Sequence, residues 1–150
     1  MATPIQITID CADSGRLSTF WQGALHYVEM PPPQGAPSWA EYFRARGLPE
    51  DEVKEIEEFG YDKIVDPDDA GHRIWFQVVP EGKVVKNRVH LDLLLTDRTG
   101  SLDERKTVVD NEVARLEGLG ATTFRVLYTE GHDYYGVVMQ DPEGNEFCVS

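Results

Sequence analysis

The stretch Gln140-Asp-Pro-Glu-Gly-Asn-Glu-Phe-Cys-Val-Ser150 decides the fold of this chain, because an earlier stretch has the same form. That stretch is Asp66-Pro-Asp-Asp-Ala-Gly-His-Arg-Ile-Trp-Phe-Gln-Val-Val79. Each consists of an Asp-Pro turn, a glycine and an apolar run that is typical of a β-strand. Internal similarity at a fixed offset is the signature of a repeated structural unit. The chain is therefore predicted to contain two copies of one module.

A second pair of matching segments lies upstream of the first pair. Ile5 to Asp13 is an apolar strand that ends in aspartate, and Val89 to Asp97 has the same form 84 residues further along. Asp13 and Ser14 can cap a following helix, and Ser101-x-x-Glu104 is a capping box for the equivalent helix. Three strands follow that second helix, at 122–129, 134–140 and 145–149. The pattern predicts an α+β fold built from two β-α-β-β-β modules.

Residues 30–70 interrupt this pattern in the first module. Ser38-x-x-Glu41 is a capping box that predicts a short helix, Gly47 ends it, and a second helix is predicted from Glu50 to Phe59. Five aromatic residues in this region favour an ordered helical insertion over a linker: Trp39, Tyr42, Phe43, Phe59 and Tyr61. We expect one domain over 1–150, with module one at 1–80 and module two at 84–150.

Composition limits the classes of partner. The chain has 150 residues and a formal net charge of -13, which disfavours binding to nucleic-acid phosphates. No apolar run reaches the roughly 20 residues that a membrane-spanning helix needs. The first residues lack the features of a signal peptide, and the two cysteines, Cys11 and Cys148, are expected to be thiols. These observations predict a cytoplasmic protein that does not bind nucleic acid or membranes.

The two modules, with the closing Asp141-Pro-Glu-Gly-Asn-Glu-Phe147 motif, resemble the vicinal oxygen chelate superfamily. This superfamily includes glyoxalase I, extradiol dioxygenases, fosfomycin-resistance enzymes and bleomycin-resistance proteins. More narrowly, Trp75 to Pro80, Lys86 to Asp92 and Asp141 to Cys148 look like the glyoxalase-like proteins common in actinobacteria. The resemblance implies that the strands form a cup-shaped mixed sheet around a small-molecule pocket, and it leaves a homodimer open.

The resemblance also implies where site residues lie, because metal-dependent members take ligands from the first and last strands of each module. Counting back from Asp13 and Asp97 places Gln6 and His90 on the first strands. Gln77 and Cys148 lie on the last strands, with Glu146 on the same face as Cys148. The expected pocket residues are Gln6, Trp75, Gln77, His90, Asp92 and Cys148. The metal candidates are Gln6, Gln77, His90 and Glu146, and the catalytic candidates are His90 and Glu146.

Three functions follow from the resemblance. Gln77 and Cys148 stand where related metal enzymes usually carry glutamate, and amides lack the charge that offsets the desolvation of a divalent cation. The leading expectation is therefore a small-molecule binding protein whose metal site is degenerate or absent, with no cofactor. The first alternative is a lyase or isomerase of glyoxalase type that depends on a divalent metal. The second is a resistance protein that sequesters a drug, as the bleomycin binders do.

Overall fold

The computed structural model describes residues 3–150. Two compact units meet in the sequence at Pro80 and Glu81, and each contains one four-stranded mixed sheet. The α+β fold with two modules of equivalent strand order is thus confirmed. No helix within residues 3–150 has both the length and the apolar character needed to cross a bilayer.

The first unit contains four strands and three helices. Its sheet has the order β1-β4-β3-β2, with β1 and β4 parallel and the other neighbours antiparallel. The elements in chain order are β1 (Gln6–Cys11), α1 (Ser14–Leu25), β2 (Val28–Glu29), α2 (Trp39–Arg44), α3 (Glu50–Phe59), β3 (Lys63–Val65) and β4 (Arg73–Val78).

Helix α1 covers one face of this sheet. Asp13 caps it by accepting a hydrogen bond from the backbone N–H of Arg16, as its position in the sequence predicts. The apolar stripe of α1 is buried, and so are the residues of β3 and β4 that face it, whereas Ile7 and Ile9 of β1 are half-buried. The buried side chains are Leu17, Phe20, Trp21 and Ala24 of the helix, with Ile64, Ile74 and Phe76 of the sheet. The opposite face of the sheet carries the polar residues of β1.

The insertion consists of α2 and α3, which lie between β2 and β3 in the chain. The hydroxyl oxygen of Ser38 accepts a hydrogen bond from the Glu41 backbone N–H, so α2 begins where the sequence indicates. Trp39 is buried and stacks on Tyr61 with ring centroids 3.9 Å apart. The helical part spans 39–59, and β3 lies within the C-terminal part of the 30–70 range.

The second unit has the same strand order, β5-β8-β7-β6, with β5 and β8 parallel. Its elements are β5 (Asp92–Leu93), α4 (Leu102–Gly118), β6 (Thr122–Tyr128), β7 (Tyr135–Gln140) and β8 (Glu146–Val149). Ser101 and Glu104 form the predicted capping box at the start of α4. The core consists of Val109 and Leu116 of α4 with Val137, Met139, Phe147 and Val149 of the sheet.

The strand predicted over Val89 to Leu95 is shorter in the structure. Only Asp92–Leu93 is regular strand, although parallel backbone hydrogen bonds continue from the Leu91 carbonyl to the Leu95 N–H. Val89 and Leu94 are largely exposed although the run is almost wholly apolar. Within this run, Leu93 is buried, whereas Val89 and Leu94 are not covered by the second unit.

Candidate functional site

Three ligand-type side chains meet on the open face of the second unit, where β5 lies beside β8. Asp92 pairs directly with Cys148 in the parallel ladder, and His90 lies two residues before Asp92, just outside the regular strand. One donor atom from each of the three side chains lies within 4.8 Å of the others. His90 Nε2 is 3.2 Å from Asp92 Oδ1. We call these three residues the His-Asp-Cys cluster.

The cluster is open to solvent but holds its thiol in the protonated form. The side chains of His90 and Asp92 are 41% and 52% exposed, whereas Cys148 is half-buried. Burial raises the pKa of the Cys148 thiol, and the negative charge of Asp92 raises it further. Because the thiolate is the nucleophilic form, Cys148 is a weak nucleophile at neutral pH. The arrangement favours hydrogen bonding or metal ligation over thiol catalysis.

Glu146 lies on the same face of β8 as Cys148, but its carboxylate accepts hydrogen bonds from other residues of the second unit. Its Oε2 accepts hydrogen bonds from Lys83 Nζ and from the Asn87 backbone N–H, both at 3.0 Å. The Asn87 N–H, followed by Lys83, lowers the pKa of this carboxyl group to about 2. Glu146 therefore stays ionised and fixes the segment that leads into His90. Its predicted catalytic and metal-binding roles remain predictions, and they would require it to give up these partners.

The first unit carries the other predicted site residues on the open face of its sheet. The register pairs Gln6 with Arg73 and Gln77 with Asp10, so the two amides lie at opposite ends of the β1–β4 ladder. Four residues of strand separate them, or about 13 Å. Metal–ligand bonds are only about 2.0–2.2 Å long, so the two side chains would have to extend towards each other along the ladder to share one ion, and their metal-binding roles remain predictions.

Trp75 lies between these two amides, on the same face. Its indole N–H donates to Asp62 Oδ2 at 2.7 Å, and Lys63 Nζ lies 5.2 Å from the ring centroid. The indole is therefore held in place by polar partners and is half-buried. A single cavity that contains Gln6, Gln77, His90 and Cys148 remains a prediction.

Asp92 is not among the metal candidates that the sequence predicts. The signal for it was available, because residues two apart on a strand share a face and His90 was already a candidate. A carboxylate at that position supplies the negative charge that the amides lack. The partners of Glu146 were also missed, since nothing local in the sequence links Lys83 to β8.

The family model for the glyoxalase-like domain matches residues 6–150, which is almost the whole chain. The chain belongs to the glyoxalase-like domain family. No curated protein matches it.

Several solved structures share the fold of this chain. A glyoxalase/bleomycin resistance protein/dioxygenase family enzyme from Burkholderia phytofirmans is 17% identical, with a TM-score of 0.57; the match covers 96% of this chain and 94% of that one. The fosfomycin resistance protein FosX from Mesorhizobium loti is 10% identical, with a TM-score of 0.56 over 99% of this chain and 91% of that one.

A third neighbour was solved with ligands. It is a mutant of FosX from Listeria monocytogenes, complexed with Mn(II) and 1S,2S-dihydroxypropylphosphonic acid. It is 14% identical, with a TM-score of 0.58 over 99% of this chain and 90% of that one. At such identities the likeness concerns the fold alone. The glyoxalase-like assignment and the vicinal oxygen chelate fold are thus confirmed, and the narrower likeness to actinobacterial proteins remains a prediction.

Proposed function

We propose that this glyoxalase-like protein binds a small molecule on the open face of its second unit, with the His-Asp-Cys cluster as the polar anchor. The convergence of His90, Asp92 and Cys148 within 4.8 Å carries the proposal. Binding sites place a few polar groups together to fix the orientation of a mostly apolar ligand. The cluster supplies an imidazole, a carboxylate and a protonated thiol at one point of the sheet.

The electrostatic surroundings indicate which end of a ligand the cluster would hold. Lys86 and Arg125 both act on the Cys148 thiol, where their positive charges oppose the effect of Asp92. Arg125 lies on the open face, two strands from Cys148. The site therefore combines one carboxylate with cationic and neutral donors. A ligand with a carbonyl or an anionic oxygen would find hydrogen-bond donors there.

The test compares two histidine variants in native mass spectrometry of protein purified from cells, followed by titration of the molecule that is retained. His90→Ala removes the anchor, whereas His132→Ala removes an exposed histidine of the same unit outside the cluster. Loss of one hydrogen-bonding contact should weaken binding by a factor of a few to roughly ten. His132→Ala should bind as wild type does. Equal affinity in His90→Ala and wild type would refute the proposal.

A metal-dependent lyase or isomerase is the second candidate, and the donor set of the cluster favours it. Imidazole nitrogen, carboxylate oxygen and thiolate are the usual ligands of zinc, and three protein ligands leave one position for substrate. Two ligands about 2.0–2.1 Å from a tetrahedral zinc lie about 3.3 Å apart. The His90–Asp92 separation of 3.2 Å matches this value. The residues present therefore fit a divalent ion, which would polarise a substrate carbonyl.

Zinc binding would separate the two candidates. Because the Cys148 thiol is protonated at neutral pH, metal binding must release its proton. Titration calorimetry in buffers of different ionisation enthalpy measures that release. Stoichiometric zinc that survives dialysis in wild type and His132→Ala, but not in His90→Ala, would establish the metal-dependent candidate. Absence of retained zinc in all three proteins would leave the metal-free anchor. Drug sequestration has no specific observation in its favour.

A further inference from the structure

A cavity lies wholly within the first unit, and none of the predicted site residues is among the described residues that line it. It has a volume of about 610 Å³ and lies between the start of α1, helix α3 and the end of β4. That volume falls within the roughly 300–1,000 Å³ of small-molecule sites. The function proposed above makes no use of this cavity.

One face of α3 forms a wall of this cavity. Glu52, Glu55, Ile56 and Phe59 all line it, and their spacing of three, four and seven residues places them on one side of the helix. The wall therefore presents two carboxylates next to two apolar side chains. Phe59 remains 61% exposed although it is a large apolar residue, so the unit itself does not cover it.

Aromatic rings form another part of the lining. Phe43 and Tyr61 both line the cavity. The buried Trp39 holds each of them by stacking, with centroid distances of 5.5 Å to Phe43 and 3.9 Å to Tyr61. Because rings fixed in this way lose little freedom when a ligand arrives, they suit binding of an apolar group.

All charged side chains among the described residues that line the cavity are acidic. The lining contains four carboxylates, those of Asp13, Glu52, Glu55 and Asp62, and no lysine, arginine or histidine. Asp13 caps α1, and Asp62 accepts the Trp75 indole N–H.

The remaining two carboxylates differ from those of Glu50 and Glu57 on the same helix. Within residues 3–150, the side chains of Glu52 and Glu55 make no hydrogen bond or ion pair. Glu50 and Glu57 of α3 are instead paired with Arg44, at 2.9 and 3.0 Å. The two acids of α3 that line the cavity thus lie outside the Arg44 pairing that neutralises Glu50 and Glu57.

We propose that this cavity binds an organic cation, with its ammonium group against Glu52 and Glu55 and its apolar body against Phe43, Ile56 and Phe59. Unpaired carboxylates attract a positive charge, and the apolar side chains beside them bury an apolar body. An anionic ligand would meet four like charges. A neutral ligand would gain only the apolar contacts. The carboxylates of the cavity therefore favour a cationic group, and its apolar side chains favour a ligand with an apolar body.

The test uses two probes that differ only in charge, 2-(1-naphthyl)ethylamine and 2-(1-naphthyl)ethanol. Binding is followed by chemical shifts of backbone amides, which also locate the site. Two double variants remove the same number of charges from α3. Glu52→Gln with Glu55→Gln changes the cavity wall, whereas Asp51→Asn with Glu58→Gln changes exposed acids of the same helix that do not line it.

We expect the amine to bind wild type more tightly than the alcohol, with shifts at Gly15, Gly60 and Tyr61. The wall variant should lose about threefold to tenfold in amine affinity and little in alcohol affinity. The control variant should bind the amine as wild type does. Equal affinity for the two probes, equal loss in both variants, shifts confined to residues 81–150, or no saturable binding of the amine would each overturn the proposal.

Discussion

Glu146→Gln should destabilise the second unit at neutral pH and leave its stability unchanged near pH 2. The Glu146 carboxylate accepts two hydrogen bonds of 3.0 Å, from Lys83 Nζ and from the Asn87 N–H, and only 9% of the residue is exposed. These contacts lower its pKa from 4.5 to about 2. Glutamine keeps an acceptor for the Asn87 N–H but loses the charge.

The size of the effect follows from that pKa. A difference of about 2.5 between the folded and unfolded states corresponds to about 3 kcal/mol at most. The Lys83 side chain is 24% exposed, so water screens part of the attraction, and glutamine retains one hydrogen bond. We therefore expect a loss of about 1–2 kcal/mol in the free energy of unfolding, which lowers Tm by about 2–8 °C.

The stability difference between Glu146→Gln and wild type should depend on pH in a defined direction. Because the folded pKa of Glu146 is depressed, its contribution is complete above the unfolded pKa of 4.5 and is lost as pH falls towards about 2. Thermal unfolding by circular dichroism would give the stability difference, and hydrogen exchange of the Asn87 amide would report on the contact itself. Glu130→Gln, in an exposed turn of the same unit, is the control. A difference from wild type that is as large at pH 2 as at pH 7 would refute the reasoning.

Three further changes should have measurable effects. Asp92→Asn should lower the pKa of Cys148 and raise its rate of alkylation by iodoacetamide at neutral pH by roughly twofold to tenfold, as followed by mass spectrometry; an unchanged rate would mean that burial alone raises this pKa. Ser101→Ala removes the cap of α4 and should cost about 1 kcal/mol in urea unfolding, whereas Ser150→Ala should not. Trp39→Ala removes the centre of the aromatic stack and should cost about 3–5 kcal/mol. Limited proteolysis within 38–59 should then become rapid, and continued protection there would contradict the role of Trp39.

Local signals in the sequence predicted most of the fold. Asp13, Ser38 and Ser101 each cap a helix that begins where the sequence indicates, because capping depends on residues only three positions apart. The internal repeat relates β1 to β5 and β4 to β8, since matching motifs occur at both pairs of positions. The short strands β2 and β3 were not located, since two or three residues are too few to show a period.

The candidate site could be predicted only in part, because it depends on pairing between distant strands. Strand alternation alone predicts that His90 and Asp92 lie on one face. The register between β5 and β8 determines which residue lies opposite Asp92, and in this structure that residue is Cys148. The contact of Lys83 with Glu146 likewise joins a turn to a remote strand. Such contacts depend on how distant segments pack together in the folded structure, and no local sequence pattern predicts them.

The parallel pairing of first and last strands has a consequence for how the chain is made. Strand β5 has a single neighbour in its sheet, β8, and Asp92 cannot meet Cys148 until the ribosome has made both. At about 5–20 residues per second, the apolar Val89–Leu95 segment waits a few seconds to about ten seconds for its partner. During that interval its backbone N–H and C=O groups lack a neighbouring strand and are accessible to other molecules. The nascent second unit is therefore a natural client for a chaperone that binds extended apolar segments, and slowing translation after α4 should lengthen that dependence.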